Sequence, residues 1–414
     1  MRVTPRLSAV VISVLVLFSV SEVGEAGTVY SFTTIDGPSP GEGGEFTFVQ
    51  GISDTHLVVG YAKPNSPCTN SFLYDNGAFV PIAVPEFPGC TEAHGVNNRG
   101  EVVGNYGFAG ILPHAFFLSE GTYTTIDGPS GFFTQARGIS DTGLVTGSYG
   151  PRGFVYDHGA FTFFDVPGAL QTSPQGINNT SHVVGYYRDA TGSHGFSDSN
   201  GDIRRIDVPG ARHTFAIGMN DRGKIAGTFT HIDDPFAYPG GGGGLRGFIY
   251  DGGRFTFLDL PGAVSTQATG INNRGQVVGS FLQLQWHGFL ANPILSMDVA
   301  PESEHDKLDL RKSTVIVAIR STWNFSALEV DTASLTFGRT GTEQSLAACR
   351  SQSRDAHRYD SADAYHDASE DLVCTFHTDV AGFQCGDEVA VLQGRSLVGT
   401  TIQGTDSIDV VPCH

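Results

Sequence analysis

The chain has 414 residues, of which 54 are glycine, and carries a formal net charge of −19 at pH 7. This charge repels phosphate backbones and argues against nucleic acid as a partner. Hydrophobic residues make up 40% of the chain and charged residues 16%, which suffices for packed cores, and the glycine content favours short strands joined by tight turns. The length indicates two domains, or one large domain and a smaller one.

The N-terminus has the pattern of an export signal. Positively charged residues precede an apolar run at 7–20, and Gly24 and Ala26 place small residues before a cleavage site. The run is too short to span a bilayer comfortably, and no later stretch reaches transmembrane length. We therefore expect residues 1–26 to be a signal peptide, with a retained anchor as the alternative. The mature chain is expected to be secreted, extracellular or at the cell surface, without a membrane span.

One ten-residue block occurs six times in the first two-thirds of the chain. The copies are GISDTHLVVG (51–60), GVNNRGEVVG (95–104), GISDTGLVTG (138–147), GINNTSHVVG (176–185), GMNDRGKIAG (218–227) and GINNRGQVVG (270–279). They begin about 40 residues apart, the period of a four-stranded propeller blade. Each block predicts a hairpin whose Asn, Asp and Gly residues are structural turn residues.

A second block follows the first and predicts the third and fourth strands of each sheet. Its copies are SFLYDNGAF (71–79), AFFLSEGTY (115–123), GFVYDHGAF (153–161), GFSDSNGDI (195–203) and GFIYDGGRF (247–255). An aspartate recurs near the end of the fourth strand, two residues before a proline that cannot continue the sheet. We interpret these residues as turn-capping carboxylates rather than a catalytic ring: Asp127, Asp165, Asp207 and Asp259.

The two ends of the repeat region complement each other. The sixth copy has a third strand at 287–293 but no fourth strand, whereas the unmatched segment 28–39 resembles the fourth strand at 122–130. Pairing 28–35 with 286–291 would complete the last sheet and leave no open edge. We therefore predict an all-β chain with a six-bladed β-propeller over residues 27–294, closed by the N-terminal strand.

The block GINNRGQVVG followed by HGFL resembles the HAF-type extracellular repeat of exported bacterial proteins, over residues 28–293. The tripeptide that names the repeat is kept at 114–116, and His-Gly-Phe stands at 194–196 and 287–289. The resemblance implies an extracellular β repeat protein and brings no established chemistry with it.

Composition changes after the repeats, and residues 295–414 read as a small β-sandwich domain. This region is similar to an accessory β module found at the ends of exported bacterial proteins, in which a calcium-type loop precedes a strand. Asp363, Asp367 and Asp371 occupy the first, fifth and ninth positions of that loop, and such oxygen donors suit calcium. Tyr365 replaces a usual ligand, so a solvated acidic loop is the alternative to a calcium site.

The six cysteines predict disulfides in an exported chain. Cys68 and Cys90 lie within one repeat and are expected to bridge each other. The remaining four allow three connectivities, between which the sequence does not choose: Cys349, Cys374, Cys385 and Cys413.

The candidate ligand-binding residues lie where the repeats differ. The residue before the leading glycine of each block varies, and the leading end of an innermost strand would face a propeller's central funnel. The candidates at this position are Gln50, His94, Arg137, Gln175 and Thr269, with Ile217 in the fifth copy. An insertion in the fifth repeat supplies further candidates, as a lid or as a tolerated loop: Asp233, Asp234, Phe236 and Tyr238.

No zinc-protease, phosphate-loop or dinucleotide-binding motif is present. The sequence therefore favours a secreted, non-enzymatic binding or surface-interaction protein that recognises an extracellular glycan or another surface ligand. The alternatives are an extracellular polysaccharide hydrolase or lyase with its site in the funnel, and a purely structural role.

Overall fold

The computed structural model describes residues 30–37, 46–63, 69–85, 87, 90–107, 113–129, 132–231, 237–238, 241–242, 244–301, 303, 307–321, 326–353, 370–397 and 401–412. The described residues form β-strands and turns, with one short 3-10 turn at Ala327–Glu329, so the chain is all-β. It divides into two compact units, Phe32–Ala291 and Asn292–His414. Among the described residues, no helix has the length and apolar character needed to cross a membrane.

The first five repeats each form one four-stranded antiparallel sheet, with the strands in chain order. Sheet 1 contains β2 (Phe46–Ile52), β3 (Val58–Lys63), β4 (Asn70–Asp75) and β5 (Ala78–Ile82). Sheet 2 contains β6 (Thr91–Val96), β7 (Val102–Tyr106), β8 (His114–Ser119) and β9 (Thr122–Ile126). Sheet 3 contains β10 (Thr134–Ile139), β11 (Val145–Tyr149), β12 (Arg152–Asp157) and β13 (Ala160–Phe164). Sheet 4 contains β14 (Gln171–Ile177), β15 (Val183–Arg188), β16 (Ser193–Ser199) and β17 (Asp202–Ile206).

Sheet 5 has the same order but carries the insertion between its second and third strands. It contains β18 (Ala211–Met219), β19 (Ile225–His231), β22 (Leu245–Asp251) and β23 (Arg254–Leu258). The insertion contains two paired strands of two residues each, β20 (Ala237–Tyr238) and β21 (Gly241–Gly242).

Sheet 6 is built from both ends of the repeat region. It contains β24 (Ser265–Ile271), β25 (Val277–Leu282) and β26 (Trp286–Pro293), and β1 (Tyr30–Ile35) lies beside β26 as its fourth strand. Ile35 is 2% exposed, and Phe32 packs edge-on against Phe289 with ring centroids 5.9 Å apart. The N-terminal strand therefore occupies the place that the fourth strand has in the other sheets.

The repeated turn and core residues have structural roles, as the pattern predicts. Gly100 and Gly275 close first hairpins at φ of +75° and +74°, a conformation that is cheap for glycine. In each sheet the phenylalanine of the third strand is at most 1% exposed, at Phe72, Phe116, Phe154, Phe196, Phe248 and Phe289. Removing one such ring costs about 3–5 kcal/mol in protein cores.

The repeated aspartates pair across the sheet, which corrects their interpretation as turn caps. Each contacts the first or second residue of the preceding third strand: His114 Nδ1 lies 2.7 Å from Asp127 Oδ2, and Arg152 Nε donates to Asp165 Oδ2 over 2.9 Å. The pairs His194–Asp207 and Arg246–Asp259 repeat the arrangement. In sheet 6, His287 of β26 pairs at 2.9 Å with Asp36, which follows β1. A cross-strand pair with aspartate thus recurs in five sheets, with histidine as the partner in sheets 2, 4 and 6 and arginine in sheets 3 and 5.

The C-terminal unit contains two sheets and a parallel strand pair. A four-stranded sheet has the order β27 (Ser296–Val299), β29 (Thr314–Arg320), β32 (Glu370–His377) and β31 (Leu346–Ser353). A three-stranded sheet has the order β30 (Val330–Gly338), β33 (Val389–Ser396) and β34 (Thr401–Ser407), and β28 (Lys307–Asp309) pairs with β35 (Asp409–Val411). Both sheets contribute to one buried core, in which the ring centroids of Phe337 and Phe376 lie 4.7 Å apart.

A disulfide joins Cys349 and Cys374, which lie opposite each other on neighbouring strands. This pairing excludes the other two connectivities that the sequence left open. Cys90 and Cys385 are also disulfide-bonded, whereas Cys68, the predicted partner of Cys90, lies outside the described residues.

Replacing both Cys349 and Cys374 by serine should destabilise the C-terminal unit. The bridge spans 25 residues of sequence, and a loop of that size corresponds to about 3.5 kcal/mol in the chain-entropy model. Urea unfolding of the full chain measures the change, with Ser351→Ala on the same strand as the control. An unchanged unfolding midpoint would contradict this role.

Candidate functional site

The first strands of the six sheets contact one another in order, and the last of them, β24, contacts β2. The leading glycine of each repeat is required for this close approach. A Cβ at Gly51 would lie 2.8 Å from the carbonyl oxygen of His94, and one at Gly95 would lie 2.8 Å from that of Arg137. The first five leading glycines are therefore too close to the neighbouring first strand for a side chain, whereas at Gly270 the neighbouring strand would lie 3.3–3.4 Å from a Cβ.

A hydrogen-bonded cycle lies where the first strands end. Its members are the fourth residues of the six blocks, in the order Asp54, Asn98, Asp141, Asn179, Asp221 and Asn273. Each asparagine donates from Nδ2 to the carboxylates on both sides over 2.7–2.9 Å. Each member also accepts, through Oδ1, a bond from the backbone N–H of the member before it. We call this cycle the amide–carboxylate ring.

The ring alternates carboxylate and amide without exception. Each carboxylate accepts two amide N–H groups and one backbone N–H, so its charge is held by three donors. The alternation is visible in the six blocks, where the fourth residue reads Asp, Asn, Asp, Asn, Asp, Asn. The sequence predicts these residues as turn residues of separate hairpins, whereas in the structure they also bond to one another.

The ring surrounds a cavity of about 60 Å³. Apolar side chains from the second position of each block line it, among them Ile52, Val96 and Met219. Such a volume admits a few waters, whereas pockets for drug-sized ligands have roughly 300–1,000 Å³. The enclosed space within the ring is therefore small compared with such pockets.

The predicted funnel residues occupy a β-bulge in every sheet. The register of each first strand shifts at this position, for example between Val49 and Gly51 and between Ala93 and Gly95, which leaves Gln50 and His94 as the extra residues. Bulges redirect a side chain away from the regular pleat, so the fold gives this variable position a distinct orientation.

The bulge residues differ in accessibility and in their hydrogen-bond partners. Thr269 is 5% exposed, and its hydroxyl donates to the Val49 carbonyl over 2.8 Å. This hydrogen bond joins the bulge of sheet 6 to the first strand of sheet 1. Gln175 and Gln50 are half-buried, and Gln175 Nε2 donates to Ser173 Oγ over 2.9 Å.

His94 and Arg137, two of the predicted candidates, contact each other through their side chains. Arg137 Nη1 lies 3.1 Å from Nε2 and 3.2 Å from Nδ1 of His94. His94 is 5% exposed. Burial, and secondly the Arg137 charge, hold the pKa of this imidazole well below its usual range. His94 is therefore neutral and acts as a buried support for the half-buried Arg137 side chain.

Aromatic side chains continue this contact across the neighbouring sheets. Ring centroids lie 5.5 Å apart between Trp286 and Phe48, 5.4 Å between Phe48 and Tyr61, and 6.1 Å between Tyr61 and His94. We call Trp286, Phe48, Tyr61, His94, Arg137 and the adjacent Glu92 the aromatic–arginine cluster. It combines residues of sheets 6, 1, 2 and 3.

The cluster lies toward the N-terminal end of the first strands, away from the amide–carboxylate ring. Phe48 precedes Asp54 by six residues, or roughly 20 Å at the usual strand rise. Glu92 Oε2 is 3.7 Å from His94 Nε2, and the Glu92 side chain is 41% exposed. Burial, and secondly Glu92, raise the pKa of the Tyr61 phenol, so that phenol stays a neutral hydrogen-bond donor.

The sequence indicated His94 and Arg137 but missed the aromatic members. Trp286 and Phe48 do not occupy equivalent positions in the repeat, so comparison of the copies could not group them. Only the packing of sheet 6 against sheet 1 brings them together.

The remaining predicted site residues fall largely outside the described residues. This applies to Asp233, Asp234 and Phe236 in the insertion. Tyr238 lies in the short strand β20, whose backbone pairs with β21.

For the predicted calcium loop, Asp363 and Asp367 also lie outside the described residues. The third residue, Asp371, accepts a hydrogen bond from the Ser321 backbone N–H over 2.8 Å. Within the described ranges, no group of three or more acidic, histidine or cysteine side chains is arranged to hold a metal ion. Calcium binding by this loop stays a prediction.

No family model and no curated protein matches the sequence. Solved structures similar to the chain include a putative TolB from Agrobacterium tumefaciens, with 13% identity over 52% of this chain and 81% of that one, at a TM-score of 0.40. The SapL1 lectin in complex with alpha methyl fucoside has 9% identity, coverage of 57% and 88%, and a TM-score of 0.39. The β-propeller domain of the Trilobed protease from Pyrococcus furiosus has 11% identity, coverage of 68% and 91%, and a TM-score of 0.37. At these values the similarities do not bear on function.

Proposed function

We propose that this chain is an exported protein that binds an extracellular glycan at the aromatic–arginine cluster, without chemical turnover. The observation that carries the proposal is the contiguous row of Trp286, Phe48 and Tyr61 leading to Arg137. The three aromatic side chains are partly exposed. A sugar ring offers an apolar C–H face for aromatic packing and hydroxyls for polar groups, and such a mixed surface matches it.

The proposed scaffold is a six-bladed propeller closed by the N-terminal strand, followed by a β-sandwich. The position of β1 beside β26 and the unbroken amide–carboxylate ring support the closure. The shared core of the two C-terminal sheets supports the sandwich. Export and a HAF-type repeat remain proposals. The disulfide between Cys349 and Cys374 is consistent with an oxidising compartment.

The contacts favour binding over hydrolysis by this site. Glycoside hydrolases use two carboxyl groups on either side of the scissile bond, and the cluster as defined contributes one, Glu92. The carboxylates of the ring, such as Asp141, are each held by three donors. A hydrolase or lyase remains the alternative, and a screen that records both binding and product formation distinguishes it.

Replacing Trp286 or Phe48 by alanine should weaken glycan binding by roughly tenfold or more, about 1.4 kcal/mol. The measurement is a glycan-array screen of the secreted chain followed by titration of the best ligand, with release of reducing ends and unsaturated products recorded in parallel. Phe257→Ala is the matched control, because Phe257 is 46% exposed and packs on Phe229 in sheet 5, which contributes no residue to the cluster.

Two outcomes would contradict the proposal. One is wild-type affinity in both cluster variants while both remain folded. The other is accumulation of cleaved glycan in proportion to the amount of wild-type protein, which would support the enzymatic alternative.

A further inference from the structure

Arg137 forms no ion pair with a carboxylate of the described residues, whereas eight other arginines do. Ion pairs with aspartate or glutamate are formed by Arg99, Arg152, Arg204, Arg205, Arg246, Arg311, Arg320 and Arg339. The side-chain contacts of Arg137 within the described residues are the His94 ring and, at 3.5 Å, the side-chain amide oxygen Oε1 of Gln135. Both partners are neutral groups.

This environment leaves the charge and most of the donors of the guanidinium available. Only Nη1 makes a short contact, at 3.1 Å to His94 Nε2, whereas the group has five N–H donors in a planar fork. A partly buried charge without a counter-ion is unfavourable, and a bound anion would relieve that cost. Planar, bidentate recognition of carboxylates is the arrangement for which arginine is suited.

We propose that the glycan bound by this protein is acidic and that Arg137 receives its anionic group, a sugar carboxylate or a sulfate ester. This inference rests on the proposed glycan-binding function and names the class of glycan. The aromatic rings of Phe48, Tyr61 and Trp286 would pack on the sugar rings next to the anionic residue.

Glu92 limits how much negative charge the site accepts. Its carboxylate approaches His94 within 3.7 Å on the side of the cluster that also carries Tyr61. It can accept hydrogen bonds from sugar hydroxyls, and it repels a second anion close to the first. Glu92→Gln should therefore increase the affinity for acidic glycans several-fold while leaving neutral glycans nearly unchanged.

The test compares ligands that differ only in charge. Oligogalacturonate, its fully methyl-esterified form, dextran sulfate and dextran are titrated into the folded full chain at low and high salt. We expect at least one acidic ligand to bind tenfold or more tightly than its neutral form, and added salt to weaken only the acidic ligand. The carboxylated and sulfated arms distinguish the two anion sources.

Arg137→Gln assigns the preference to this residue. We expect it to remove the difference between acidic and neutral ligands without weakening the neutral one. Arg204→Ala is the control, because Arg204 pairs with Asp202 on the fourth strand of sheet 4. Equal affinity for charged and neutral forms in the wild type would overturn the inference but leave the proposed function standing. The inference would also be overturned if folded Arg137→Gln lost affinity equally for the acidic and the neutral ligand while Glu92→Gln left both affinities unchanged. Binding of no glycan by any form of the protein would overturn both proposals.

Discussion

Replacing Asp141 by asparagine should lower the free energy of unfolding of the repeat unit by about 2–4 kcal/mol. The Asp141 carboxylate accepts from Asn98 Nδ2 over 2.8 Å, from Asn179 Nδ2 over 2.7 Å and from the Asn98 backbone N–H over 2.8 Å. An asparagine has one acceptor oxygen, so its own amide N–H₂ would face at least one of these donors. Unpaired donors at such a site cost about 1–3 kcal/mol each. Chemical unfolding monitored by tryptophan fluorescence and circular dichroism measures the change.

Asp165→Asn provides the matched control for this substitution. It makes the same chemical change at a carboxylate that is 48% exposed and pairs with Arg152. Exposed ion pairs contribute about 0–1 kcal/mol, so this variant should stay within that range.

Exchanging all six members of the ring, each aspartate for asparagine and the reverse, separates alternation from residue identity. The exchanged ring again places every amide between two carboxylates, and it should recover most of the stability that single substitutions remove. If the sixfold variant is as unstable as the single effects added together, alternation is not what stabilises the ring.

Removing the N-terminal strand, by starting the mature chain at residue 38, should destabilise the repeat unit severely. The deletion removes β1 from sheet 6, exposes the edge of β26 and eliminates the pair between Asp36 and His287. It also removes Ile35, which is 2% exposed. Native domains are stable by only about 5–15 kcal/mol, so the loss of a buried strand should lower the unfolding temperature strongly and promote association through the open edge.

Because the truncated chain could simply misfold, a point substitution in β1 and the addition of β1 as a separate peptide test the same prediction. Ile35→Ala should cost about 2–4 kcal/mol, as other large-to-small core substitutions do, whereas Ile316→Ala, at a side chain that is 36% exposed, should cost less. A synthetic peptide of residues 28–39 should restore cooperative unfolding to the truncated chain. A truncated chain that unfolds like the full one would show that β1 does not complete the fold.

Both predictions concern how the chain closes on itself. An alternating ring of donors and acceptors can close without a mismatch only if the number of members is even, and here it has six. Closure by β1 completes the sixth sheet, and Asn273 bonds both Asp221 and Asp54, which joins the last repeat to the first. The two devices act on the same junction, so combining Ile35→Ala with Asp54→Asn should show coupling that widely separated substitutions lack.

The sequence alone determined the features that arise within one repeat. Hairpin turns and buried third-strand phenylalanines follow from local residue preferences that each copy displays. The complementary strand at 28–35 follows from comparing copies that recur about every 40 residues. It also marked His94 and Arg137 as variable positions in an otherwise uniform framework.

Only the tertiary structure decided the features that join different repeats. Asn98 donates to Asp54 and to Asp141, which lie 44 and 43 residues away in the chain, and Trp286 meets Phe48 only because the last sheet packs on the first. The recurring aspartates pair with residues of a neighbouring strand, and Cys349 bonds to Cys374 because the strand register places them opposite each other. Residue patterns report local conformation, whereas these contacts depend on which strands the closed chain places side by side.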